Sequence, residues 1–455
     1  VTHGDETIFA LASGKGRAGL SVIRLSGPAV KAALRALAGH VPPPRTAILC
    51  TFSAPTGAAG PPLLLDRGLV LFFPHPRSFT GEDVGELHVH GSPAVIDSVF
   101  QALSALGLRP AGPGEFTRRA FDHGKMDLTE VEALADLIAA ETEEQRAQAL
   151  RQMHGGLATL YEAWRARVLE ALAWVEAQID FSEEDLPRDM MEHVQETVRA
   201  LARDMAVHLA DGQRGERVRD GVSVVILGPP NVGKSSLLNA LARRDVAIVA
   251  AQSGTTRDII EVHLDLGGVA VCVADTAGLR DAASEIEQEG MRRARVRADA
   301  ADLRIHLTSS DCPRSRARPS AQARPVACAA HDLHVVNKAD LMPRAPGNAD
   351  HFGAGALWIS VKTGEGMETF IRALTRAVAA LTKGGESVVL TRARHRHAVQ
   401  DALRALNRFL EAPAQDVGLL AEELRLALRA LARLTGRADV EDVLDVIFSE
   451  FCIGK

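Results

Sequence analysis

The residues Gly228-Pro229-Pro230-Asn231-Val232-Gly233-Lys234-Ser235 follow the spacing G-x-x-x-x-G-K-S, whose chemistry is the holding of phosphate. Two glycines let backbone N–H groups turn inward around anionic oxygens. A helix starting after them directs its positive end at the same anion. Lys234 then reaches the β- and γ-phosphates, and Ser235 offers a hydroxyl to Mg²⁺. Three further stretches follow in the order a guanine-nucleotide site requires. In Asp275-Thr276-Ala277-Gly278, an Asp holds Mg²⁺ through water and a Gly N–H meets the γ-phosphate. In Asn337-Lys338-Ala339-Asp340, the Asp340 carboxylate accepts from N1–H and the exocyclic amine of guanine. Adenine lacks that donor pair, so the stretch selects GTP over ATP. Ser360-Val361-Lys362 closes over the base.

Hydrolysis needs a group that orients water. Ras-type enzymes use a Gln directly after D-x-x-G, but here that residue is Leu279, whose side chain has no polar atom. Two features supply a replacement. The amide oxygen of Asn231 and the carbonyls of Ala250 to Thr256 can surround a monovalent cation such as K⁺, which would stabilise charge developing on the phosphates. Beyond Asp275, either Glu285 or Glu287 can position the water, the alternative for each being a solvated carboxylate at a helix start.

These residues need a strand–loop–helix frame. Val222 to Leu227 reads as a buried parallel strand and Ser236 to Ala242 as helix. Apolar runs Val269 to Ala274, Leu333 to Val336 and Ala356 to Ile359 precede the other stretches. Alternation at Ile260, Val262, Leu264 and Leu266, followed by Gly267-Gly268, predicts an edge hairpin. Ala301 to Leu307 predicts a central strand in which Arg304 and His306 are anomalous, and 309–330 reads as loop.

Around this frame the chain is expected to form four segments: an α/β domain at 1–122, helices at 123–215, the GTPase domain at 216–382, and helices again at 383–455. In the first, Thr7 to Ala10, Gly19 to Leu25, Gly68 to Phe73 and Glu86 to His90 read as strands, and Pro28 to Ala38 and Pro93 to Leu106 as helices. Ser78 to Asp83 and Pro113 to Thr117 read either as a ligand rim or as two surface loops. In the second, Leu128, Val131, Leu134 and Ile138 recur at helical spacing, Thr129 with Glu132 suggests a capping box, and Gly155-Gly156 and Pro187 mark breaks. In the last, Thr391 to Leu410, Val417 to Thr435 and Ala438 to Phe451 read as helices. The basic cluster Arg392, Arg394, His395, Arg396 and His397 reads either as an RNA contact or as a solvated face. The expected architecture is a GTPase domain inserted at a surface loop of a helical domain.

The 455 residues carry a net charge of −6, so any nucleic-acid contact must be local. Apolar residues make up 46% and charged residues 24%, ordinary for a globular protein. The five cysteines (Cys50, Cys272, Cys312, Cys328, Cys452) show no C-x-x-C spacing and are expected as reduced thiols of a cytoplasmic protein. No apolar run reaches the roughly eighteen residues of a membrane span. Val1 to Ala12 lacks the pattern of a secretory signal.

The motifs closely resemble one family, the tRNA modification GTPases called MnmE or TrmE. The likeness lies in 228–236, Gly254-Thr255-Thr256-Arg257-Asp258, Asp275 to Arg280 and Asn337 to Asp340. It extends to Arg24-Leu25-Ser26-Gly27, Ser78 to Asp83, Pro113-Gly114-Glu115-Phe116 and the terminal Phe451-Cys452-Ile453-Gly454-Lys455, and so covers essentially the whole chain. The resemblance implies a multidomain α/β plus α fold: an N-terminal α/β folate-binding and dimerisation domain, a helical bundle, and an inserted, Ras-like, doubly wound P-loop GTPase domain. It implies a homodimer that works with the FAD protein MnmG. Together they add an aminomethyl or carboxymethylaminomethyl group to carbon five of the tRNA wobble uridine, using a one-carbon unit of formyl- or methylene-tetrahydrofolate. By position it implies folate contacts at Arg24, Glu86, Lys125 and Lys455; K⁺ ligands at Asn231, Ala250, Gln252 and Thr255; and Mg²⁺ ligands at Ser235 and Thr256. It selects Glu287 over Glu285 as the water-positioning carboxylate and leaves the role of Cys452 open. The GTP-contacting set becomes Asn231, Val232, Gly233, Lys234, Ser235, Ser236, Ala250, Ala251, Gln252, Ser253, Gly254, Thr255, Thr256, Asp275, Thr276, Ala277, Gly278, Asn337, Lys338, Asp340, Ser360, Val361 and Lys362. Arg304, His306 and the loop after them depart from the family pattern. Three readings are thereby separated: a K⁺-activated enzyme of tRNA modification, a GTPase switch that only recruits partners, and a scaffold with a degenerate site. The intact motifs argue against the third; Leu279 and the terminal motif favour the first.

Overall fold

A computed structural model of the chain describes residues 6–54, 62–180, 190–244, 246–248, 261–275, 296, 299–311, 332–341, 355–384, 389–413, 415–437, 444, 447–448, 451 and 454. The chain divides into two units, residues 1–135 with 432–455, and residues 136–431. Among the described residues no helix is long and apolar enough to cross a membrane.

In the first unit, β1 (Ile8–Leu11), β2 (Ala18–Ser26), β3 (Ile48–Ala54), β4 (Leu63–Phe73), β5 (Val84–Gly91) and β6 (Arg109–Pro110) form one sheet in the order β3-β4-β5-β2-β1-β6. All pairs are antiparallel except β1 with β6. Helices α1 (Val30–Ala38) and α2 (Pro93–Ala105) bury Leu34, Leu37, Val99 and Leu103 against Phe9, Ile23, Phe52, Val70 and Leu87 of the sheet. Each such side chain contributes about 1.5–3 kcal/mol on leaving water. Ser92 caps α2, accepting from Val95 N at 3.2 Å with Pro93 behind it, an arrangement suited to a helix start.

Four expectations need correction here. Strand β3 was not foreseen, and β4 begins at Leu63 rather than Gly68. The stretch Pro113 to Thr117 is no loop, because Glu115–Asp122 is helical (α3). The helix Leu128–Ala139 (α4) is capped not by Thr129 and Glu132 but by Asp127 and Glu130. Asp127 Oδ1 accepts from the backbone N of Thr129 (2.7 Å) and Glu130 (3.0 Å), and Glu130 Oε2 accepts from Asp127 N at 2.8 Å. Asp caps at least as well as Thr, which frees Thr129 to sit inside the helix. Residues 123–135 and 432–455 group with this unit by their contacts. Leu128 and Val131 bury against Leu444, Ile447, Phe448 and Phe451. The expected helix Ala438 to Phe451 otherwise lies outside the described residues.

The second unit holds a sheet of β7 (Val222–Leu227), β8 (Glu261–Asp265), β9 (Ala270–Asp275), β10 (Leu303–Ser309), β11 (Leu333–Asn337) and β12 (Leu357–Trp358), ordered β12-β11-β10-β7-β9-β8. Only β8 runs antiparallel, and its turn to β9 has Gly267 and Gly268 at φ 69° and 88°. Two successive positive φ values are what a tight hairpin turn demands. Helices α8 (Lys234–Ala242) and α9 (Met367–Thr382) cover one face with Leu237, Leu238, Leu241, Phe370, Leu374 and Val378.

Arg304 and His306 now have a physical account. On β10, Leu303, Ile305 and Leu307 are fully buried on one face, and the two polar residues alternate onto the other. Asp332, at the start of β11, lies 3.7 Å from Arg304 Nη1 and 3.4 Å from His306 Nε2. The His306 ring stacks on His334, its register partner, at 5.0 Å. Burial drives the His306 imidazole below its ordinary value.

Four helices complete the unit: α5 (Glu143–Met153), α6 (Gly156–Asp180), α7 (Met190–Asp220) and α10 (Ala393–Glu411), while α11 (Val417–Thr435) continues past it. The break at Gly155-Gly156 is present; Pro187 lies outside the described residues. Both α6 and α10 pack along α7. Segments far apart in sequence are joined by polar contacts: Gln152 Nε2 donates to Thr391 Oγ1 (3.0 Å) and Gln148 Nε2 to Gly215 O (3.2 Å). Close approach requires small residues on α7, since a Cβ at Gly215 would meet Leu390 O at 2.0 Å. Three members of the basic cluster are tied into the fold, while His397 is exposed. Arg392 pairs with Asp136 at 2.6 Å, Arg396 pairs with Glu216 at 2.8 Å, and His395 is buried.

Candidate functional site

Strand β7 delivers the glycine-rich loop, and its shape is set by contacts that only glycine permits. A Cβ on Gly228 would lie 2.2 Å from Leu307 O, and one on Gly233 would lie 2.3 Å from Asn337 Nδ2. Asn231 adopts φ 65°, a left-handed conformation that Asn tolerates better than most residues. The loop closes on α8, whose N-cap is Gly233. Lys234 is buried, and its Nζ donates to Gly228 O (2.9 Å) and Pro229 O (3.0 Å). Ser235 Oγ donates to Asp275 Oδ2 at 2.7 Å, so the first and second stretches meet at two hard oxygen atoms.

The third stretch meets both the first and the fourth. Asn337 Nδ2 donates to Val232 O at 2.9 Å, and Asn337 Oδ1 accepts from Val361 N at 3.2 Å. Asp340 Oδ1 accepts from Ser360 Oγ at 2.6 Å. Lys338, at φ 61°, pairs through Nζ with Asp311 at 2.8 Å, and that lysine holds the Asp311 carboxyl below the ordinary range. Ser310 Oγ donates to Lys338 O at 2.6 Å, fixing the turn from the neighbouring strand. Sequence reasoning did not find Ser310 or Asp311; their places at the end of β10 only become meaningful once β10 and β11 are paired. Ser236 and Lys362 are exposed beside the same site. Ala250, Ala251, Gln252, Ser253, Gly254, Thr255, Thr256, Thr276, Ala277, Gly278, Leu279, Glu285 and Glu287 lie outside the described residues.

In the first unit, Arg24 and Glu86 are direct register partners on β2 and β5. Arg24 Nε and Nη2 donate to Glu86 Oε1 at 3.1 and 3.0 Å. The guanidinium lies 5.3 Å from the Phe79 ring centroid, and His88 Nε2 is 3.3 Å from Glu86 Oε2. Lys125 is exposed, near the turn at Gly81, where an added Cβ would lie 3.2 Å from Lys125 Cε. Lys455 and Cys452 lie outside the described residues.

The runs Ser78 to Asp83 and Pro113 to Thr117 prove to be neither a free rim nor independent loops. Arg119, buried on α3, ties them together. Its Nη1 donates to Glu82 Oε2 (2.9 Å) and Glu6 O (2.9 Å), and its Nη2 donates to Glu115 Oε1 (3.2 Å). Ser26 Oγ donates to the same Glu82 carboxylate at 2.6 Å. Burial pushes the Glu115 carboxyl up, but its hydrogen bonds to Arg109 and Gly112 N outweigh this and leave it below the ordinary value. The sequence signal for this network was an arginine one helical turn after Glu115.

Comparison with known proteins follows the same lines. The chain matches the family described as MnmE helical domain over residues 128–452 and the family described as GTP-binding protein TrmE N-terminus over residues 7–125. It is 55% identical over 454 residues to the tRNA modification GTPase MnmE of Parvibaculum lavamentivorans, covering 99% of this chain and 100% of that one. It is 52% identical to the protein of the same name from Paramagnetospirillum magneticum, again covering 99% and 100%. It is 49% identical to the mitochondrial 5-taurinomethyluridine-[tRNA] synthase subunit GTPB3 of Rattus norvegicus, covering 99% of this chain and 93% of that one.

Proposed function

The chain belongs to the MnmE family of tRNA modification GTPases, and from that membership we propose a K⁺-activated cycle of GTP hydrolysis that serves carbon-five modification of the tRNA wobble uridine. The protein is a GTP hydrolase acting in tRNA modification. The single observation that supports the nucleotide site is Asn337, whose amide bonds both the phosphate loop and the Val361 backbone and so joins three of the four stretches, the Ser235–Asp275 bond bringing in the other.

The roles follow from chemistry. Backbone N–H groups of 231–236 and the Lys234 ammonium hold the phosphates. Ser235, with Thr256, ligates Mg²⁺; the Ser235 hydroxyl beside the Asp275 carboxylate fits a hard cation that takes oxygen donors. Asp340, oriented by Ser360, reads the guanine edge. Leu279 cannot orient water, so Glu287 takes that place. Asn231 and the backbone of Ala250, Gln252 and Thr255 would hold K⁺, which would offset the negative charge developing on the phosphates.

The N-terminal sheet is proposed to bind formyl- or methylene-tetrahydrofolate through Arg24, Glu86, Lys125 and Lys455. The fixed Arg24–Glu86 pair beside Phe79 offers a donor, an acceptor and an aromatic face, a set suited to a pterin ring. The one-carbon unit it carries, and the FAD protein MnmG as partner to a homodimer of this chain in the cytoplasm, complete the proposed reaction. The proposed domains remain 1–122, 123–215, 216–382 and 383–455.

The test is GTP turnover at constant ionic strength in KCl and in NaCl. Turnover is expected to rise steeply with K⁺ and little with Na⁺; equal rates in the two salts reject the cation's role.

A further inference from the structure

The edge hairpin β8–β9 carries three side chains of different chemistry on one face. His263 and Cys272 are direct cross-strand partners, and Glu261 lies two residues before His263, hence on the same side of the strand. One ligand atom from each lies within 4.8 Å of the others, and Cys272 Sγ donates to Glu261 Oε2 at 3.7 Å. The opposite face of the same strands is core, with Val262, Leu264, Val271 and Val273 buried. The backbone under the three donors is therefore fixed, while the Glu261 and His263 side chains are exposed on its outer face.

We propose that Glu261, His263 and Cys272 form a binding site for a borderline-soft divalent transition metal of the Zn²⁺ class. A zinc ion sits about 2.0–2.3 Å from such donors, which sets tetrahedral ligands about 3.3–3.8 Å apart. The Cys272 Sγ–Glu261 Oε2 separation of 3.7 Å already lies in that range, and rotation of the exposed His263 ring closes the remaining distance. One thiolate, one imidazole and one carboxylate fill three positions of a tetrahedron, and water fills the fourth. Thiolate and imidazole select against Mg²⁺ and Ca²⁺, so the site does not compete for the metal of the nucleotide site. Binding releases the Cys272 thiol proton to solvent, and the ion cross-links the outermost strand of the sheet to its neighbour. This inference stands on the hairpin alone and does not depend on how GTP is hydrolysed.

The experiment is a Co²⁺ titration of the tag-free, reduced, full-length protein with excess Mg²⁺ present, followed by Zn²⁺ displacement. One Co²⁺ per chain is expected, with sulfur-to-cobalt charge-transfer absorption that Zn²⁺ abolishes. Cys272→Ser removes that absorption, and Cys50→Ser leaves it. His263→Gln and Glu261→Gln, at exposed positions that tolerate change, each weaken binding by roughly tenfold or more, in line with the loss of a ligand or its orienting partner. Circular dichroism and GTP turnover check that each variant is folded. Absence of the absorption in the wild-type protein overturns the proposal. So does its persistence in Cys272→Ser or, should that variant fail to fold, its unchanged strength in both His263→Gln and Glu261→Gln.

Discussion

Asn in place of Asp340 tests base recognition most directly. Asp340 is assigned two hydrogen bonds from guanine, N1–H and the exocyclic amine, both to a charged acceptor. Such bonds contribute about 1.5–3 kcal/mol each. The carboxylate is exposed at the surface, which argues for the lower half of that range, but Ser360 Oγ at 2.6 Å holds it in place, so little ordering is lost on binding. Asp340→Asn turns one acceptor into a donor facing a donor, and the expected cost is about 3–4 kcal/mol, or roughly 10²- to 10³-fold in the Kd for GTP. Xanthosine triphosphate carries a carbonyl where guanine carries its amine, so the new amide N–H₂ gains a partner there. The variant should prefer the xanthine nucleotide. Ser360→Ala keeps the carboxylate and loses only its orientation, and should weaken GTP by about fivefold, equivalent to about 1 kcal/mol. Displacement titrations with fluorescent GTP and xanthosine triphosphate analogues measure these affinities. If Asp340→Asn binds GTP within about threefold of wild type, or weakens both nucleotides alike, the assignment of Asp340 to the guanine edge is wrong.

Three other expectations are equally exposed to test. Glu287→Ala should retain fluorescent-GTP affinity and lose about 10²-fold or more in single-turnover hydrolysis, the usual effect of removing a positioned base; unchanged turnover reassigns the carboxylate. Glu86→Gln should raise the tetrahydrofolate Kd by about tenfold in calorimetry while leaving GTP turnover in K⁺ intact, since it weakens a charge-assisted bond on a separate sheet; equal affinity removes the folate role from the Arg24 pair. Burial drives the His208 imidazole down to about 4. Its folded value lies below the unfolded one of about 6.5, so its contribution is intact above pH 6.5 or so and declines as pH falls towards 4. At pH 5 the loss is about 2 kcal/mol. Urea unfolding in a Trp174→Phe, Trp358→Phe background, followed through Trp164 with its ring 5.3 Å from the imidazole, should show the parent losing that much more than His208→Gln between pH 8 and pH 5; parallel losses refute it.

What the sequence revealed and what it concealed divide along a physical line. The phosphate loop, its strand and its helix were readable because the chemistry depends on neighbours within eight residues. The hairpin at Gly267-Gly268 was readable for the same reason. Arg304 and His306 were opaque because their partner, Asp332, arrives from the next strand, and only pairing brings it near. The setting of Arg392 and Arg396 was hidden because their partners, Asp136 and Glu216, lie far back along the chain. Strand β3 escaped notice because Cys50, Thr51 and Ser53 dilute its apolar alternation; its place is decided by pairing with β4 rather than by its own pattern. The helix at Glu115 hid behind Pro113 and Gly114, which look like loop residues but end at a helix start.

The chain leaves α7 at Asp220 to build the nucleotide sheet and returns across the same helix, with Leu390 pressed against Gly212 and Gly215. The outgoing and returning chain of the inserted domain are thus fastened side by side on one helix. That fastening adds to the Arg217–Asp302 pair and to the bond from Glu144 N to Gly268 O, and a bulky residue at Gly215 would pry it apart without touching the sheet.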